Sequence, residues 1–195
     1  MSAVIPIDIL AHADFSGGLK RSKRNPGFAA FGALIESVRQ NNPGGTLLLD
    51  AGDAFCTNFW GGAPCVEAVS LLKTDALTLG NHEFDRGAAF LNDCIRQADF
   101  PILCANIVER ETASLIPGVQ PYVILEKAGV KIGVVGVTTE YTPRMVTAAS
   151  FAPYEARSCA EACRKWIPEV RRMGAEIVVL VTHIPFYVDD DGSVR

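Results

Sequence analysis

Four short apolar runs in this chain each lead into side chains that can hold a cation or a phosphate. Ile7-Asp8-Ile9-Leu10-Ala11 leads through His12 to Asp14, and Leu47-Leu48-Leu49 leads through Asp50 to Asp53. Ala76-Leu77-Thr78-Leu79 opens onto Gly80-Asn81-His82-Glu83-Phe84-Asp85, and Ile177 to Thr182 ends in His183. Apolar runs this short, bounded by glycine and polar residues, read as buried strands. In open α/β sheets, ligands bind at the carboxyl ends of the strands. The pattern therefore constrains the fold twice: the strands lie together, and their ends converge on one site.

The segments between these strands carry a helical period. Gly27 to Gln40 places Phe28, Phe31, Leu34, Ile35 and Val38 on one face. Ala63 to Leu72 and Ala88 to Gln97 read as helices, and Pro101 to Ala105 reads as a buried strand. Tyr122 to Glu126 and Lys131 to Val137 flank Lys127-Ala128-Gly129 and read as a hairpin. Tyr154 to Met173 reads as one helix that Pro168 kinks or breaks. This alternation predicts a layered α/β fold. No repeat or linker divides the 195 residues, a length that suits one domain.

Asp14, Gly52-Asp53, Gly80 to Asp85 and His183, in that order, resemble the calcineurin-like metallophosphoesterase superfamily, and within it the catalytic domain of the 5'-nucleotidase group. The resemblance runs from Ile7 to His183. Ser16 stands where the group has a histidine in its opening motif, and no Gly-His-x-His follows before Arg195. The resemblance implies a four-layer αββα sandwich, incomplete at its C-terminal end. It implies one metallophosphoesterase-like catalytic domain over 1–195, without the group's C-terminal nucleotide-binding domain.

For function, the resemblance implies metal-dependent hydrolysis of phosphate monoesters, nucleotides among them. The cofactors would be divalent ions, Mn, Zn or similar, one or two per chain. Asp14 would bind the first, Asp53 both, and Asn81 and His183 the second. His82 would act as general acid or stabilise the transition state, with Asp85 orienting it and raising its pKa. Glu83 reads as a helix-start carboxylate near backbone amides. His12 reads either as a substitute ligand for Ser16 or, the ordinary outcome, as a buried polar residue. With three family histidines missing, the one replaced by Ser16 and the two of Gly-His-x-His, this chain by itself is expected to be weakly active or inactive. The alternative is a non-catalytic binding or scaffold domain with a degenerate metal site.

Each residue also has an ordinary reading. Asp14 and Asp53 beside glycine suit turns, Asn81 suits a helix cap, and His183 suits a buried imidazole. Taken together, these readings need four separate coincidences at four strand ends.

Composition narrows the partners. A net charge of −4 argues against broad nucleic-acid binding, and Lys20 to Arg24 reads as a solvated loop. No stretch approaches the roughly 20 apolar residues of a membrane span. The six cysteines form no Cys-x-x-Cys pair. They read as buried thiols in a reducing compartment, so a cytoplasmic location is expected, with export after signal-peptide removal as the alternative. Cys56, close after Asp53, is too soft a ligand for an oxygen-rich site. The resemblance implies a small phosphate ester as partner, nucleotides included, and self-association is expected through an uncovered sheet edge beside Val179 and Val181.

Overall fold

The computed structural model describes residues 4–23, 26–55 and 62–185. Cys56, Arg24 and the acidic segment after Val188 lie outside the described residues. In chain order the elements are β1 (Asp8–His12), α1 (Phe28–Asn41), β2 (Thr46–Asp50), α2 (Ala63–Leu71) and β3 (Ala76–Thr78). A 3-10 turn (His82–Phe84), α3 (Gly87–Gln97), β4 (Ile102–Leu103), β5 (Ile107–Glu109) and β6 (Val119–Gln120) follow. The rest is β7 (Tyr122–Lys127), β8 (Val130–Thr138), α4 (Thr142–Met145), α5 (Ala148–Phe151), β9 (Tyr154–Ala156), α6 (Cys159–Arg172) and β10 (Ile177–His183).

The first sheet is parallel, in the order β1-β2-β3-β4-β6, and the second runs β10-β8-β7. In the second sheet β10 is parallel to β8, while β7 and β8 form the expected antiparallel hairpin. Side chains alternate across each strand, and this places the layers. Leu47, Leu49, Ala76 and Leu103 of the first sheet pack against Ile132, Val134 and Val181 of the second. The opposite face of the first sheet carries Leu48 against Ile35 of α1, and Leu77 against the cluster holding Val66 of α2 and Leu91 of α3. The outer face of the second sheet carries Val135 and Val137 against Ala162 and Val170 of α6. Helix, sheet, sheet and helix are thus stacked in the four-layer sandwich expected.

The two sheets pack tightly at Gly136 of β8. A Cβ there would lie 2.3 Å from Thr78 Oγ1 and 2.6 Å from Leu103 Cβ. One residue pair on, the Thr138 hydroxyl donates to the carbonyl of Leu79.

Two expectations need correction. Tyr154–Ala156 is not helical; it is β9, paired antiparallel with β5. The helix starts later, where the Ser158 hydroxyl accepts the Glu161 amide and caps it. Pro168 lies inside α6 and does not end it. Val170 beyond it is fully buried on the second sheet, and that packing holds the last turn in place. At the β10 edge the exposed apolar residues are Ile177 and Leu180; Val181 is buried between the sheets. Among the described residues, no helix is long and apolar enough to cross a membrane.

Candidate metal centre

All four expected ligands lie just beyond or at strand ends, and both sheets contribute. Asp14 follows β1, Asp53 follows β2, Asn81 follows β3 and His183 ends β10. The chain turns sharply after each of the first two strands. Asp14 and Asp53 adopt left-handed φ values of 56° and 59°. An aspartate tolerates this conformation better than most side chains. The two turns are laced together: Asp14 N–H donates to the Gly52 carbonyl and Ser16 N–H to the Asp53 carbonyl, both at 2.9 Å.

The Asp53 and Asn81 loops touch. A Cβ on Gly52 would lie 2.5 Å from the Gly80 nitrogen, and one on Gly80 would lie 2.1 Å from Asp53 Oδ1. Only glycine fits at either place. Within the second loop each side chain takes a separate direction. Asn81 Oδ1 lies 3.1 Å from His183 Nε2. The His82 N–H donates to Asp53 Oδ1 at 2.9 Å, and its ring Nδ1 lies 2.7 Å from Asp85 Oδ2. Glu83 points inward, where its carboxylate accepts the amides of Asp53, Phe55 and Gly80. Phe84 is fully buried edge-on to Phe151 and Tyr154.

His183 is held from two sides. Nδ1 lies 2.7 Å from the Ala51 carbonyl oxygen and, as the donor there, leaves Nε2 facing Asn81 Oδ1 and, at 3.3 Å, Asp53 Oδ2. A ring whose far nitrogen bonds a backbone carbonyl is the usual arrangement of a metal-binding histidine. One ligand atom each from Asp14, Asp53 and His183 lie within 4.8 Å of one another. The donors are oxygen and imidazole, which suit a divalent cation of Mn or Zn character. They line a cavity of about 470 Å³ that also admits His82, Met145, Ile184 and Pro185.

The charges respond to this crowding. Burial opposes a proton on His183, yet the hydrogen bond and charge of Asp53, the Ala51 carbonyl and the charge of Glu83 outweigh it and push its pKa up to about 9. Burial also opposes protonation of His82, but Asp85 and the charge of Asp53 raise its pKa above the usual imidazole value. Burial pushes the carboxyl of Glu83 upward, and so does the charge of Asp53.

Two residues keep clear of the cavity. His12 turns to the α1 side of its strand, edge-on to Phe31, and burial lowers its pKa to about 4. It is the buried polar residue of the two expectations. The Ser16 hydroxyl donates to the Asp53 carbonyl at 3.4 Å. Sequence reasoning did not foresee the Ala51 carbonyl behind His183, nor Glu83 reaching the Asp53 loop; side-chain type alone signals neither.

A family profile described as "Calcineurin-like phosphoesterase" matches residues 9–195. The chain belongs to the calcineurin-like phosphoesterase family. Among sequence relatives, Protein UshA of Yersinia enterocolitica is 32% identical over 175 residues, covering 86% of this chain and 31% of UshA. Snake venom 5'-nucleotidase of Gloydius brevicauda is 35% identical over 171 residues, covering 84% of this chain and 28% of the venom protein. Among solved structures, the calcineurin-like phosphoesterase YfkN of Bacillus subtilis superposes with a TM-score of 0.81 at 26% identity, covering 94% of this chain and 63% of that one. A 5'-nucleotidase precursor from Thermus thermophilus superposes at 0.77 with 25% identity, covering 91% and 37%. This calcineurin-like phosphoesterase domain spans about a third of the length of the curated relatives it matches.

Proposed function

We propose that this domain hydrolyses phosphate monoesters in a metal-dependent way, with 5'-nucleotides as the substrate class that its relatives' names suggest. The observation that carries the reading is the meeting of Asp14, Asp53 and His183 donors beside His82 in one open cavity. Asp53, Asn81 and His183 would hold one divalent ion, and Asp14 with Asp53 a second. Bound divalent ions supply an activated water and neutralise phosphoryl oxygens.

The chain's own residues supply the rest. Asp53 faces both sides of the centre, one oxygen braced by the His82 amide and the other near His183. Asn81 contributes a neutral oxygen, so the site keeps positive charge for an anionic substrate. His82 sits half-exposed at the cavity, with Asp85 fixing Nδ1 as the protonated nitrogen. Nε2 is then the atom that gives a proton to the leaving oxygen or a hydrogen bond to the phosphoryl group. The five described cysteines carry free thiols, which fit a reducing compartment.

The test is calorimetry with Mn²⁺ together with hydrolysis of an aryl phosphate and of AMP. Asp53→Asn removes the shared negative charge. It should weaken Mn²⁺ binding by more than the about 10- to 100-fold that losing an outer-sphere partner costs. His82→Asn should leave Mn²⁺ binding intact and lower turnover by about 10²- to 10³-fold. Unchanged Mn²⁺ affinity in Asp53→Asn would sink the assignment. Ser16, standing at a family histidine position, favours one second reading: a domain that binds the ion but turns nothing over. Tight Mn²⁺ binding without hydrolysis of either substrate would select it.

A further inference from the structure

Glu83 plays no part in the chemistry above, yet its carboxylate lies between the ligand loops and is 1% exposed. Oε2 accepts the amide of Asp53 at 2.8 Å and that of Gly80 at 2.6 Å, while Oε1 accepts that of Phe55 at 3.0 Å. A carboxylate at a helix start ordinarily serves amides of its own turn. Here two of the three donors belong to a loop 30 and 28 residues away. Asp53 is itself an expected ligand, and Gly80 is bonded to another, Asn81.

We propose that Glu83 is a positioning residue of the metal centre, fixing the backbone of the Asp53 loop against that of Asn81 and His82. The proposal rests on the metal reading of that centre. Three independent features of the geometry require such a tie. The loops approach so closely that a Cβ on Gly80 would overlap the Asp53 carboxylate. Asp53 is held at a left-handed φ of 59°, which persists only where its surroundings over-determine it. Three amide dipoles point their positive ends at one buried spot, and without an acceptor there they repel one another and lack any hydrogen bond. With the acceptor in place, the Asp53 carboxylate stays within 2.9 Å of the His82 amide and 3.3 Å of His183 Nε2.

Glutamine keeps the shape of Glu83 but offers one oxygen and one NH₂, so at least one of the three amides faces a donor. Aspartate keeps both oxygens but is one methylene shorter, so it cannot serve both loops at once. The experiment measures Mn²⁺ affinity by calorimetry for the unaltered chain, Glu83→Gln, Glu83→Asp and Val170→Ala. Val170 is a fully buried residue of α6, packed on the outer face of the second sheet with Val135 and Val137. Its truncation destabilises the fold in a cluster that holds no residue of the ligand loops. The expected result is about 10- to 100-fold weaker binding in Glu83→Gln, a smaller loss in Glu83→Asp, and unaltered affinity in Val170→Ala. Amide exchange at Asp53 and Gly80 should quicken in the Glu83 variants and not in Val170→Ala.

Wild-type affinity in Glu83→Gln overturns the proposal, as does an equal loss in Val170→Ala. If Glu83→Gln does not fold, Glu83→Asp carries the test. Full affinity there, or failure of both to fold, makes the carboxylate a core residue and ends the proposal. If the unaltered chain binds no Mn²⁺, it is the metal reading that fails, and the proposal with it.

Discussion

Asp50 shows what the first sheet tolerates one step behind the metal loop. Its side chain is fully buried, with Oδ1 accepting the Gly52 amide at 2.9 Å and Oδ2 facing only His12 Nε2, 3.7 Å away. Neither Oδ2 nor Nε2 has a hydrogen-bond partner among the described residues. Burial pushes the Asp50 carboxyl well above the usual carboxylate range, more than the Gly52 amide pulls it down. An acid whose pKa is raised in the folded state binds more protons there than in the unfolded chain. Its contribution to stability therefore declines as pH climbs past about 4, its unfolded value. Asp50→Asn keeps the Gly52 bond and aims an NH₂ at His12. It should raise stability at pH 7 by on the order of 1 kcal/mol, with the gain shrinking towards pH 4. Urea midpoints of both proteins across that range decide it, and a gain that does not depend on pH counts against a charged Asp50.

Helix α6 carries the clearest element-scale conflict. Pro168 lies four residues before its end, exposed on the surface, where it denies one backbone hydrogen bond to the turn before it. Pro168→Ala restores that donor and loses little packing. Proline's stiffening of the unfolded chain offsets part of the gain. The net stabilisation should be about 2 kcal/mol, read from the chemical denaturation midpoint; a lower midpoint would show that the ring supports the helix. The same region explains what the sequence reveals about elements and what it conceals. Long periodic or wholly apolar segments such as α1, β2 and β8 are legible because burial repeats along them. β9 escapes because three residues carry no period, and the apolar faces of Tyr154 and Ala156 extend a helical pattern. The Ser158–Glu161 cap marks the true start of α6. β5 is as short and β6 shorter still, and each exists only because of the strand it pairs with. The candidate ligands are legible because each stands at or just past a strand end in its own motif. The supports were not, since the Ala51 carbonyl and the reach of Glu83 arise from tertiary contact.

At the scale of the whole molecule, the centre depends on how the sheets sit against each other. Asp14, Asp53 and Asn81 come from the first sheet and His183 from the second. Gly136 leaves room for a tight contact between them, with Thr78 and Leu103 opposite. Gly136→Ala drives a methyl between the sheets. It should cost about 1–3 kcal/mol of stability and also weaken Mn²⁺ binding, since His183 moves relative to its partners. Denaturation and calorimetry on the same variant check both; a destabilised protein with intact affinity would show that the ends of the sheets are held independently of their middle.

The bond between His183 and the Ala51 carbonyl joins residues 132 apart in sequence. Contacts of such separation close at a high entropic cost, so the candidate ligand set should assemble late in folding. A bound cation would thus act as a seal on completed folding, tightening its hold in proportion to how strongly it prefers the finished chain. A chelator would loosen the molecule at the last contact it made.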